Sequence, residues 1–199
     1  LSALAGCVDA IGFLQLSGHF VSFMSGNTTQ LAVGLAQGNM SHVVLLAMII
    51  GLFVAGSALG TFINHASAIN KRAASVMTLV SLLLAGAALT YSSGMPLVAI
   101  ALMAVAMGAE NAVFQRSGDI AIGLTYMTGT LAKLGQRIAS ACLGGGRYAW
   151  MPYLLLWISL MAGGVIGAAL YYWFGMHSLW LAVAWSAVLT IAAQSKRVL

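Results

Sequence analysis

Apolar residues run through this chain in long stretches, interrupted at intervals by short polar clusters. Eight stretches can be read: roughly Leu1–Leu16, Phe20–Gln37, His42–Ile63, Ala74–Tyr91, Pro96–Phe114, Leu124–Leu143, Tyr153–Phe174 and His177–Ala193. A helix that crosses a bilayer needs about 20 mainly apolar residues. The third, fourth, fifth, seventh and eighth stretches reach that length or come near it. The first does so once residues ahead of Leu1 are supplied, and no basic leader or cleavage site marks it as a signal peptide. The second and sixth differ: each carries a Ser/Thr–Gly pair and further polar side chains along its length.

Those two stretches also resemble one another. FMSGNTTQLAVGL (Phe23–Leu35) and YMTGTLAKLGQRI (Tyr126–Ile138) share Met, Ser or Thr, and Gly at an offset of 103, and Gln30-Leu31 matches Lys133-Leu134 at the same offset. Upstream, Gly6-x-x-Asp9-Ala10 matches Gly108-x-x-Asn111-Ala112 at 102; downstream, Ala55–Gly60 matches Ala162–Gly167 at 107. An ordered series with slowly growing offset points to an internal repeat, 1–93 and 94–199, within one transmembrane domain spanning 1–199. The last match puts Gly-x-x-x-Gly in each half (Gly56/Gly60 and Gly163/Gly167), a spacing that lets helix backbones approach closely in lipid. It serves a contact between the halves or a homodimer equally well.

Composition settles the solvent. The chain is 61% hydrophobic and 6% charged, against about 25% charged in soluble domains, so it reads as an all-α integral membrane protein. Charge then sets the topology. If all eight stretches cross, the basic residues of the loops divide evenly between the two sides. If the second and sixth re-enter or break, six helices cross, the repeats are inverted, and Lys71, Arg72, Arg116, Arg147, Lys196 and Arg197 share one side. The positive-inside rule favours this second arrangement, with both termini cytoplasmic. The net charge of +5 then marks membrane sidedness rather than a nucleic-acid partner.

Inverted repeats with broken helices that meet at the midplane form the solute site of several transporters. The residues expected at such a site are Ser25, Gly26, Asn27 and Thr28 from the first motif and Thr128, Gly129 and Thr130 from the second. Asn111, Lys133 and Arg116 complete the set of solute contacts. Among the three acids, Asp9 and Glu110 lie inside apolar stretches and Asp119 in a loop. An acid at membrane depth costs about 2.5–3.5 kcal/mol on insertion scales and is a functional candidate by default. Asp9, Glu110 and His19 are therefore candidates for proton coupling or gating. The structural alternatives are Asp9 paired with Lys133 or Arg137, and Glu110 paired with Arg116 or set near the interface. His42, His65 and His177 read as loop-edge residues. Cys7 and Cys142 fit no metal spacing and are not expected to pair. No hydrolase elbow, phosphate loop, dinucleotide fingerprint or zinc cluster is present, so neither enzymatic activity nor a cofactor or metal is expected.

GCVDAIGFLQLSGHFVSFMSGNTTQLA (Gly6–Ala32) and MGAENAVFQRSGDIAIGLTYMTGTLAKLG (Met107–Gly135) resemble the YoaK-like family of bacterial membrane proteins of unknown function. That resemblance implies six transmembrane helices and a bacterial inner membrane. One departure stands in the second motif, Glu110-Asn111 where Gln-Asn would be expected. The family supplies no substrate. The residues themselves point to a small secondary transporter for a polar solute, anionic or zwitterionic, proton-coupled through Asp9. A passive channel of aquaporin-like architecture and a non-transporting lipid-binding or assembly module remain open beside it.

Overall fold

The computed structural model describes residues 1–116, 119–120 and 126–195. The described residues are almost entirely helical. In order they form α1 (Ser2–Gln15), α2 (Met24–Ala36), α3 (Met40–Ala66), α4 (Arg72–Ser92), α5 (Pro96–Glu110), α6 (Met127–Cys142), α7 (Met151–Phe174) and α8 (Leu179–Ser195). Short 3-10 turns lead into α4, follow α5 and separate α7 from α8. A two-residue antiparallel ladder pairs Gln115 with Ile120 and Arg116 with Asp119.

Among the described residues, four stretches are long and apolar enough to cross a membrane: Met40–Ala66, Ile69–Ser92, Pro96–Val113 and Met151–Gln194. The last is 44 residues long, and Gly175 divides it: its φ of +57° turns the chain after α7, a conformation open to glycine. Leu82, Val54, Trp173 and Ile191 are among many large apolar side chains that face outward, as lipid rather than water would require. The chain is a transmembrane protein.

The main helix contacts cross between the halves of the chain. α1 packs on α7, α3 on α5, α4 on α5 and on α8. Glycines make the first two crossings close. A methyl group at Gly6 would overlap the Leu160 carbonyl, one at Gly163 the Ala3 carbonyl, and one at Gly167 the Cys7 carbonyl. On the other crossing, Gly108 meets Phe53, Gly56 meets Val105 and Gly60 meets Ala109 in the same way. Each contact of one crossing thus has its counterpart in the other, at offsets of 102 along α1 and α5 and 107 along α3 and α7. Ala3–Gly163 and Cys7–Gly167 advance in step, so α1 and α7 run parallel, as do α5 and α3. In contrast, Gly12 faces Met103, and Leu16 packs on the cluster of Ile49, Ile100 and Ala104. The end of α1 therefore meets the beginnings of α5 and α3.

α2 returns to where it set out. The chain leaves α1 through two left-handed residues, Ser17 (φ 52°) and Gly18 (φ 109°). It then runs back along α1 without helical structure, so that the amides of Val21 and Ser22 reach Asp9 Oδ1 at 2.9 and 2.8 Å. From Met24 the helix climbs back. Gln30 Nε2 donates to the Gly18 carbonyl at 3.0 Å, and the rings of His19 and His42 stand 4.6 Å apart. The end of α2, the start of α3 and the end of α1 therefore lie together. At about 1.5 Å per residue, the 13 residues of α2 reach roughly 20 Å, short of the ~30 Å hydrocarbon core.

Candidate functional site

The two motifs converge. Ser22, Phe23, Met24 and Ser25 line one wall of a cavity of about 310 Å³, and Tyr126, Met127, Thr128 and Gly129 line another. Ile50, Phe53 and Val54 of α3 complete it. The motif residues are the first turns of α2 and α6, whose leading N–H groups lack partners within their own helices and carry the positive end of the helix dipole. Neither helix has a side-chain cap. The chamber therefore combines an apolar wall, four hydroxyl-bearing residues (Ser22, Ser25, Tyr126 and Thr128) and two converging helix N-termini. Val54 and Tyr126 at its rim are exposed.

A second cavity of about 410 Å³ lies between α1 and α7, lined by Asp9, Phe13, Phe20, Leu160 and Met161 among others. Leu160 and Met161 are the counterparts of Phe53 and Val54 at the offset of 107. The two cavities thus use corresponding helix faces.

The remaining candidates sort by what their side chains hold. Asn27 is fully buried; its Oδ1 accepts from the Phe20 amide at 3.0 Å and its Nδ2 donates to the Phe20 carbonyl at 2.6 Å. It fastens the returning segment onto α2. Gly26 makes room for the Phe23 and Phe20 rings, on which a Cβ would intrude. Thr28 donates back to the Met24 carbonyl at 2.7 Å and faces outward. His19 Nδ1 lies 2.6 Å from Gln30 Oε1, at the end of α1 rather than in the chamber. Asp9 is partnered by amides of its own half, not by Lys133 or Arg137, both exposed on α6.

In the second half, Thr130 is buried and donates to the Tyr126 carbonyl at 3.1 Å. Asn111 Nδ2 donates to the Met107 carbonyl at 3.0 Å. Glu110 is buried. The side chains of Arg116 and Asp119 lie outside the described residues, and so does the pairing of Glu110 with Arg116. Cys7 is buried, Cys142 exposed, and both are free.

Sequence reasoning missed Phe53 and Val54, which carried no polar signal, and the tie between Asp9 and the Val21 and Ser22 amides. Backbone groups leave no mark in composition. Gln30 was visible as a repeat position, but its bonds to Gly18 and His19 were not.

Comparison with known proteins agrees with this membrane architecture. The UPF0700 transmembrane protein RA0705 of Rhizobium meliloti is 37% identical over 193 residues, covering 97% of this chain and 83% of the relative. The UPF0700 transmembrane protein YoaK of Bacillus subtilis is 32% identical over 149 residues, 70% of this chain and 64% of the relative. No solved structure matches. The family described as "Protein of unknown function (DUF1275)" matches residues 1–192. With its motif helices in place and these transmembrane relatives beside it, the chain belongs to the DUF1275 family.

Proposed function

We propose that this protein is a small secondary transporter, not an enzyme, which binds a polar solute in the chamber between its two motifs. The carrying observation is that Ser25 and Thr128, corresponding residues of the two halves, line one cavity. The positive ends of two helices suit a solute with an anionic group, so an anionic or zwitterionic molecule is the expected cargo. Asn27 and Thr28 support the wall rather than touch the solute. Lys133 and Arg116 are the cations of this half able to complement its charge.

Six crossing helices in two inverted repeats, 1–93 and 94–199, are part of the same reading. Support comes from the matched glycine crossings and from the end of α1 lying at the beginnings of α3 and α5. A segment that leaves the end of α1 at Ser17 and returns there through α2 re-enters rather than crosses. Irregular backbone at membrane depth is tolerated where protein covers it or a cavity lies beside it, and the Val21–Phe23 segment meets that condition. Placing the basic loops inside puts both termini in the cytoplasm of a bacterial cell, with the protein in the inner membrane.

The assembly reading has one observation in its favour: Asn27, Thr28 and Gln30 are all committed to backbone groups of their own half. A thermal-shift screen of the purified protein against a panel of small metabolites separates the two. A cargo binds the folded state and raises Tm, by about 2.7 kcal/mol of stability at a hundredfold excess over Kd. Ser25→Leu and Thr128→Leu should each abolish that shift. A panel without any stabilising compound, or a shift that both variants retain, favours the assembly reading.

A further inference from the structure

Two acids lie inside the apolar helices, and the structure treats them differently. Asp9 has two backbone amides on one oxygen. Glu110 is 1% exposed, and neither of its carboxyl oxygens has a hydrogen-bond partner among the described residues. It is the last residue of α5, before the 3-10 turn Asn111–Phe114 that leads toward the second motif.

The first half shows that this position needs no carboxyl. At the offset of 102 the counterpart of Glu110 is Val8, fully buried in the same apolar core. Packing is satisfied there by a plain aliphatic side chain. A carboxylate is poorly tolerated in such surroundings without partners, whereas the neutral acid is tolerated better. The charged and titratable groups on the elements packed against this end of α5 are few. α1 brings Cys7, and Asp9 held by the Val21 and Ser22 amides. α3 brings His65, bonded to the Thr61 carbonyl, and Arg72 at the head of α4 bonds the Ser67 carbonyl; Lys71 precedes it. Arg116 and Asp119 follow in the chain, with side chains outside the described residues.

We propose that Glu110 is a proton-carrying site: its carboxyl, buried and without a hydrogen-bond partner among the described residues, holds one proton in this conformation and releases it to water in another, in which the end of α5 becomes hydrated. Loading joins one proton from water to the carboxylate; release returns that proton to water, and no electron moves. This deepens the transporter reading, on which the coupling of that proton to a solute rests. It moves the coupling role from Asp9, whose carboxylate anchors the first motif, to the second half.

Infrared difference spectroscopy of the purified protein in detergent, between acid and alkaline buffer, tests this directly. The expected result is a carboxylic-acid C=O band that fades on alkalinisation, is absent in Glu110→Gln and persists in Asp9→Asn. Glu110→Val should leave Tm unchanged or raised, since Val8 fills the same position. No Glu110-dependent band, a band unchanged at every pH where the protein stays folded, a band removed by sodium at constant pH, or a large loss of Tm in Glu110→Val would each overturn the proposal. Transport is read separately by the metabolite screen. A titrating band without any stabilising metabolite keeps the proton site and removes the transporter; a stabilising metabolite without a titrating band does the reverse.

Discussion

The two motif helices begin with almost the same residues and are held in different ways. α2 is fastened by Asp9, Asn27 and Gln30, each reaching backbone of the segment that precedes it. At the corresponding positions the second half has Asn111, in the turn after α5, and Thr130 and Lys133 on α6. Thr130 bonds within its own first turn, and Lys133 is exposed. Gly26 lies under the Phe23 ring, whereas no described residue comes within 4 Å of where a Cβ at Gly129 would stand. The helix crossings beneath, by contrast, are copied contact for contact. A repeat can therefore keep its backbone frame, where glycine spacing allows no change, while its polar supports diverge. Among the described residues, the ties that fasten α2 to its preceding segment have no counterpart on α6.

That contrast can be broken at several positions, each read by thermal unfolding in detergent. The largest effect is expected for Asp9→Ala. An uncompensated acid at membrane depth would stabilise the protein on removal, by about 2.5–3.5 kcal/mol. An acid that anchors two amides should instead destabilise it, by about 3 kcal/mol, so the sign decides. Next come Gly163→Ala and Gly56→Ala, where a methyl group would overlap a facing backbone carbonyl. Each should cost about 1–3 kcal/mol, and the two should agree; a loss in one alone would make the matched crossings incidental. Asn27→Ala should cost about 2 kcal/mol by leaving buried backbone groups of Phe20 unpaired, against about 0.5 kcal/mol for Thr130→Ala. Equal losses would mean that α6 is as firmly held as α2. The smallest pair is Gln30→Ala, at about 1 kcal/mol, against no measurable change for Lys133→Ala.

Much of the frame was legible in the chain itself. Hydropathy marked each helix to within a few residues, because a membrane-crossing stretch has to be apolar throughout. The second stretch is the exception: its break was expected at the Ser25–Gly26 pair and lies just before it, at Phe20–Phe23, held non-helical by Asp9 and Asn27. Gly-x-x-x-Gly announced close crossings, but not that α7 would meet α1 and α3 would meet α5, since spacing names a surface and not its partner. At the site, the Ser25 and Thr128 convergence follows from the repeat. The roles of Asn27 and Asp9 do not, because their partners are main-chain groups that every sequence possesses.

Side-specific labelling of two positions probes the inverted arrangement most directly. Gln37 ends α2 and the native Cys142 ends α6, and both are exposed. A membrane-impermeant maleimide applied to intact cells should label Gln37→Cys, placed in a Cys142→Ala background, and should leave the native Cys142 unlabelled until the membrane is opened. Labelling of both positions from the same side would mean that α2 and α6 cross like ordinary spans, and the inverted repeats with their shared chamber would fall.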